Sequence, residues 1–368
     1  MIAIVCTARP SYAKLYTVIE ALQARGVPLH LVVCASALLA RYGQVVNVMR
    51  ADWSALPMTE VWSTYEGATI HTSAKETAAL LAELSGIVAR LQPSACVVVA
   101  DRHEVLAAAQ AVAYQHVPLV HLQGGEVSGS IDNKVRDAMT ALADYHCVST
   151  TQARSRVYAL TGAWETNCRT GCPSLDLAAR ALHDLPVKSG EIPGVGSRFH
   201  LDRDEPFGIC LFHPVTDEPD AGGQMHTVLE ALHRPGVPRM LLFWPGEDAG
   251  ADAIAKVLRT QAEGHHLVRT LPPQRFLRLV SQAAVLVGNS SAGIREASFL
   301  GTPVVNIGRR QHGRERGPNV IDVPVAAEAI HGAIVRQVAH GPYPSSSLYG
   351  AGDAGLRVAD ALQAWGLT

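Results

Sequence analysis

Net charge is what this 368-residue chain has least of: 31 Lys and Arg against 33 Asp and Glu leave −2 at pH 7. That balance gives no reason to expect nucleic-acid binding or an acidic tail. No run reaches the roughly 18 to 20 apolar residues of a membrane span, so none is expected. The start, MIAIVCTARPSY, passes from an apolar strand straight into a turn, without the charged region, apolar core and cleavage site of a secretion signal. A soluble, cytoplasmic protein is the expectation. No CxxC or His-x-His accompanies the Cys168–Cys172 pair, so neither a metal nor another cofactor is expected. The cysteines at 6, 34, 96, 147, 168, 172 and 210 are odd in number, and several lie in apolar runs. Buried reduced thiols explain them better than a disulfide framework.

Aromatics are scarce too, at 5%, while 48% of the residues are apolar and Ala, Val, Leu and Gly abound. That is the composition of strands covered on both faces by helices. The length suits two α/β domains better than a single core. Strand-like runs alternate with helical ones in both halves: a strand at 2–7, a helix at Tyr12–Ala24 closed by Gly26, a strand at 29–34, a helix at 69–91, a strand at 95–100. Between about 185 and 205 Pro, Gly and charge rise and periodicity disappears, which marks a linker. The expected division is a first Rossmann-like domain at 1–184 and a second at 206–345, with right-handed crossovers.

The chemistry concentrates after the strands. In Gly288–Pro318 an apolar strand breaks into Asn289-Ser290-Ser291-Ala292-Gly293, and Ile294 opens a helical segment ending near Leu300. Small residues such as Gly293 let a ligand approach the backbone, and a helix start favours anions. Glu296 sits where a carboxylate reaches ribose hydroxyls, and Arg310 follows the next strand. Together they point to a nucleotide-phosphate site; an ordinary βα turn with a serine cap is the plain alternative. In the first half, Arg9 and Lys14 follow the first strand, with Lys14 placed in the first turn of the next helix. Asp101, with Arg102 beside it, follows another strand and is read equally as a catalytic acid or as a helix N-cap. The loop from Gln123 through Glu126 to Asp132 holds more glycine and acid than a connector requires, before a helix near Val135. His213 follows the first strand of the second half, as a ligand or as a structural histidine. If the strand ends of the two domains face each other, these residues line one cleft that fits a nucleotide-sugar.

At this point the residues resemble a known family. ARPSYAKL, ADRHE, HLQGGEVSGSIDNKVR, TGCPSLDL, HPVT, FWPGEDAG, GNSSAGIRE and GTPVVNIGRRQHGRERGPNVIDV, in that order, are similar to the motifs of UDP-N-acetylglucosamine 2-epimerases, in particular the hydrolysing branch. The resemblance implies a GT-B architecture, a terminal helix at about 354–365 within 346–368 crossing back to the first domain, and a homodimer. It implies loss of the C2 proton with expulsion of UDP from C1, then hydration of the 2-acetamidoglucal with inversion at C2. Carried onto matching positions, Asp101 becomes a catalytic carboxylate and Asp132 a sugar-site acid. Arg9, Lys14, Arg102, His213, Ser290, Ser291, Gly293, Glu296 and Arg310 become the substrate and UDP contacts. Gln123 departs from the pattern, because well-known members carry a catalytic Glu there and an amide is no base. Either Glu126, Asp132 or His213 takes that role, or Gln123 orients water or substrate, or the preferred sugar differs. Asp137 and Gly246-Glu247 are smaller departures. The alternatives are a non-hydrolysing 2-epimerase, a GT-B glycosyltransferase and a non-catalytic nucleotide-sugar sensor.

Overall fold

The computed structural model describes residues 1–65, 69–184, 187, 192, 194, 205–246 and 248–368. Most of the expected linker at 185–205, and Glu247, lie outside the described residues. The chain divides into two compact units, one of residues 1–127, 131–176 and 349–368, the other of residues 128–130 and 177–348.

In the first unit the order is β1 Ile2–Cys6, α1 Arg9–Ala24, β2 Leu29–Cys34, α2 Val45–Asp52, β3 Met58–Val61, α3 Ile70–Leu91, β4 Ala95–Val99, α4 His103–Ala113, β5 Leu119–Leu122, α5 Asp132–Leu142, β6 Tyr145–Val148, α6 Thr151–Thr161 and β7 Asn167–Arg169. Helix α7, Ser174–His183, begins here and continues into the second unit. The seven strands are all parallel, in the order β3-β2-β1-β4-β5-β6-β7. After β1 the chain runs outward through β2 and β3, then returns to place β4 on the other side of β1. The crevice between the carboxyl ends of β1 and β4 is therefore this sheet's topological switch point.

The second unit follows the same rule with β8 Phe207–Leu211, α8 Ala221–Leu232, β9 Arg239–Phe243, α9 Ala251–Gln261, β10 His266–Val268, α10 Pro273–Gln282, β11 Val285–Gly288, α11 Ser291–Ile294, α12 Glu296–Leu300, β12 Val304–Ile307, β13 Val320–Val323 and α13 Ala327–His340. The parallel order β10-β9-β8-β11-β12-β13 puts the switch between β8 and β11. Two parallel-sheet α/β units are what the alternation of runs predicts.

Both sheets are buried on both faces, the reason for their unbroken apolar strands. Ile2, Ile4 and Cys6 of β1 pack with Leu15 and Leu22 of α1, whereas the alternate Ala3 and Val5 pack with Leu80 and Leu84 of α3. The last helix, α14 Ala354–Ala364, covers the first of these faces through Val358 and Leu362. Its start is capped from a distance: the buried Asp176 carboxylate accepts the Ala354 and Gly355 N–H groups at 2.8 and 2.7 Å and the Thr17 hydroxyl at 2.8 Å. All seven cysteines are free thiols, six of them buried. Burial pushes the Cys6, Cys96 and Cys210 thiols up to about 12, so they pack as apolar groups.

Two local expectations are corrected. Helix α1 begins at Arg9, because Pro10 suits a first turn whose N–H groups need no intrahelical partner; Lys14 consequently lies in the second turn. The segment expected to run from Ile294 to Leu300 is two short helices broken at Arg295, whose φ and ψ are −99° and −68°.

Candidate functional site

In the first unit the switch point carries Arg9 and Asp101. Arg9 opens α1, and burial lowers its pKa to about 10. Lys14 is buried in the same helix. The N-cap position of α4 is Arg102 rather than Asp101, without a side-chain cap hydrogen bond of its own, and the Arg102 guanidinium turns to Glu104. The Asp101 carboxylate pairs with Arg136 of α5.

Arg136 organises this cluster. Its side chain is 1% exposed, and it donates to the Glu126 carbonyl at 2.8 Å and to Asn133 Oδ1 at 3.4 Å as well as to Asp101. Burial disfavours the guanidinium, but the charges of Asp101, Glu126 and Asp132 outweigh it and raise its pKa. Three of the candidate carboxylates thus share one buried cation. Arg156 reaches the same Glu126 carbonyl at 3.2 Å and holds Asp137 at 2.6 Å. Asp132 is the first residue of α5, three residues earlier than the start expected near Val135.

Gln123 follows β5 in the left-handed region, at φ 66°, and is buried. Its N–H donates to the Cys147 carbonyl at 2.8 Å, and its side-chain Nε2 donates to Cys172 Sγ at 2.7 Å. The amide is therefore turned toward the turn after β7. His121, two residues earlier, is fully buried, and burial lowers its pKa to about 4. Its Nε2 lies 2.8 Å from the Ala100 carbonyl, which only accepts, so that nitrogen carries the proton. This bond pins Ala100, another left-handed residue at φ 73°, immediately before Asp101.

The second unit's switch point carries His213 after β8 and the serine turn after β11. Ser290 Oγ accepts the Ala292 N–H at 3.3 Å, and Ser291 Oγ accepts from Arg295 NH2 at 2.8 Å. Each oxygen is thereby used as an acceptor and keeps an O–H proton to donate, the polarity an anionic ligand needs. Helix α11 has only four residues, so aligned peptide dipoles add little and the hydroxyls carry the argument. Gly293 faces inward: an added Cβ would lie 3.1 Å from Val304, so its size serves packing of α11 on the sheet. Glu296 is buried at the start of α12, with Arg295 Nε 3.9 Å away. Arg310 donates to the Asn289 carbonyl at 3.2 Å and faces Asp248 at 3.8 Å.

The sequence reading placed Arg295 beside Glu296 in the turn, but gave no role to Arg136, His121 or Asn289. The first had a usable signal: Arg136, Met139 and Thr140 stand at helical spacing and form the buried side of α5. A buried histidine inside an apolar strand and an asparagine in a polar turn carry no such mark.

The family described as UDP-N-acetylglucosamine 2-epimerase matches residues 20–363. The chain is 31% identical over 327 residues to a UDP-N,N'-diacetylbacillosamine 2-epimerase (hydrolyzing) of Legionella pneumophila, covering 88% of this chain and 84% of that one. It is 28% identical over 332 residues to a UDP-N-acetylglucosamine 2-epimerase of Neisseria meningitidis, covering 88% and 84%. Among solved structures, the Neisseria meningitidis UDP-GlcNAc 2-epimerase bound to UDP-GlcNAc superposes with a TM-score of 0.79 at 15% identity over 99% of each chain. The Methanocaldococcus jannaschii UDP-GlcNAc 2-epimerase in complex with UDP-GlcNAc and UDP gives 0.75 at 15% identity, again over 99% of each.

Proposed function

This chain belongs to the UDP-N-acetylglucosamine 2-epimerase family, and from that premise we propose that it is a hydrolysing member acting on UDP-GlcNAc or a related UDP-2-acetamido sugar. The products are free UDP and the 2-epimeric sugar, ManNAc or its analogue. The observation that carries the reading is the serine turn, whose two hydroxyl oxygens already accept within the turn and so keep their O–H protons for a departing diphosphate. Arg310 and Arg9 supply charge and His213 a further polar contact to UDP, with Lys14 and Arg102 on the substrate and Glu296 on the ribose.

A base removes the C2 hydrogen as the C1–O bond to UDP breaks, giving a 2-acetamidoglucal. A proton then adds to C2 from the opposite face and water supplies the hydroxyl at C1. We place the C2 chemistry on Asp101, with Glu126 and Asp132 as the carboxylates that serve hydration. Gln123 orients rather than abstracts, since a neutral amide is too weak a base to take the C2 proton and its nitrogen donates to Cys172. The likeness to the hydrolysing Legionella enzyme supports hydrolysis and widens the substrate to 2,4-diacetamido sugars.

Incubation of the protein with UDP-GlcNAc, and separately with UDP-N,N'-diacetylbacillosamine, in deuterated water tests this. Free UDP and a 2-epimeric sugar carrying deuterium at C2 are expected from one of them. A product that remains a UDP-sugar replaces the reading with a non-hydrolysing epimerase; UDP binding without turnover leaves only a sensor. Ser290→Ala and Glu296→Ala should each weaken UDP binding about tenfold before they slow the chemical step, as read by calorimetric titration.

A further inference from the structure

The last rung of the β8–β11 ladder pairs Leu211 with Gly288, and the Asn289 N–H still reaches the Leu211 carbonyl at 3.0 Å. Beyond that rung a side chain takes the ladder's place. Asn289 Oδ1 accepts the His213 N–H at 2.8 Å, and Asn289 Nδ2 donates to the His213 carbonyl at 2.8 Å. Both peptide groups flanking the His213 Cα are thereby held, which fixes the direction in which its imidazole leaves the backbone. The Asn289 carbonyl in turn accepts from Arg310 NH1 at 3.2 Å and from Gln311 Nε2 at 2.8 Å. Asn289 is 1% exposed. Gly288 makes room for this turn: at its φ of 138° a Cβ would stand 2.0 Å from the Leu211 carbonyl oxygen.

We propose that Asn289 is the positioning residue of the nucleotide site, acting through His213 and Arg310 without touching the ligand. The inference rests on the nucleotide reading of the serine turn given above. The chemistry is specific to the amide. One N–H donor and one oxygen acceptor, side by side, match the C=O and N–H of a single residue, whereas aspartate offers two acceptors and sets one against the His213 carbonyl.

The test is UDP titration of the wild type, Asn289→Ala, Asn289→Asp, His213→Ala and the Asn289→Ala/His213→Ala double variant, each at a temperature where circular dichroism shows it folded. Asn289→Ala and Asn289→Asp should weaken UDP about tenfold or more, and the double variant should bind no more than about threefold weaker than Asn289→Ala, because the two residues act as one unit. In spectra with labelled histidine, the ring resonance lost in His213→Ala should move on adding UDP to the wild type and stay still in Asn289→Asp. A folded Asn289→Asp or Asn289→Ala that binds UDP within about twofold of the wild type, or losses that multiply in the double variant, overturns the assignment. A folded wild type that does not bind UDP overturns the nucleotide reading and this inference together; intact wild-type binding with indifferent Asn289 variants overturns this inference alone.

Discussion

A buried guanidinium tolerates few changes in its surroundings, and Arg136 is enclosed with Asp101, Glu126 and Asp132 as its countercharges. Asp101 gives it a charge-assisted hydrogen bond, so Asp101→Asn removes a charge while leaving an oxygen that can still accept. The expected outcome has two parts. Turnover should fall by about 10²- to 10⁴-fold, the range of a lost acid–base group, while UDP affinity stays within about threefold. Stability should also fall, by an amount on the order of 1 kcal/mol, because the buried Arg136 loses one of its three countercharges but keeps an acceptor. Single-turnover kinetics and urea unfolding read the two separately; a near-normal rate removes Asp101 from the chemistry. The sequence placed Asp101 correctly at a strand end but left its partner unseen, since an arginine in IDNKVRDAM reads as a solvent-facing charge until the helix is packed.

At the scale of elements, function gathers where strands stop. Ala35, Ala100 and Gln123, after β2, β4 and β5, are all non-glycine residues at positive φ, a conformation that costs about 1 kcal/mol or more unless packing dictates it. In the loop after β5 the constraint is sharper. Gly125 has φ 76° and a Cβ there would stand 2.2 Å from the Ala153 carbonyl of α6, whereas Gly162, at φ 73°, has nothing within 4 Å. Gly162→Ala should therefore cost only the left-handed penalty, about 1 kcal/mol, while Gly125→Ala should cost about 2 kcal/mol more and slow turnover by shifting Glu126. Paired urea melts check the ordering, and equal losses would count against the tight α6 contact. The double glycine was legible as unusual, but its reason, the approach of a helix distant in sequence, was not. The same limit explains β3, a short strand buried fully only at Val61, and the break at Arg295, where a side chain folds back on Ser291 within a run of helical periodicity.

For the molecule as a whole, buried histidines set the response to acid. His121 and His146 are cross-strand neighbours in β5 and β6, and burial lowers each to about 4; His265 in the second unit is lowered to about 4 as well. Neither ring nitrogen of His146 has a hydrogen-bond partner among the described residues. A folded pKa below the unfolded value of about 6.5 means that the unfolded chain binds more protons between those limits, so stability is complete above pH 6.5 and is lost as pH falls toward 4. Each histidine contributes about 3 kcal/mol over that interval by linkage. His103 works in the opposite sense: burial disfavours its cation, but Glu104 and Glu76 raise its pKa, which gives stability at low pH that fades as pH rises through the raised value. With His30 also lowered by burial, four histidines oppose one, so acid should win. The melting temperature should be flat near neutrality and fall steeply from about pH 6.5 to 4.5, with a net uptake of about three protons on unfolding at pH 5.5. His146→Leu removes one of those protons and an unpartnered polar ring at once. It should raise stability at neutral pH and flatten the acid limb, as measured by calorimetry across the pH series; a melting temperature that ignores pH over this range would show that these rings are not held neutral by the fold.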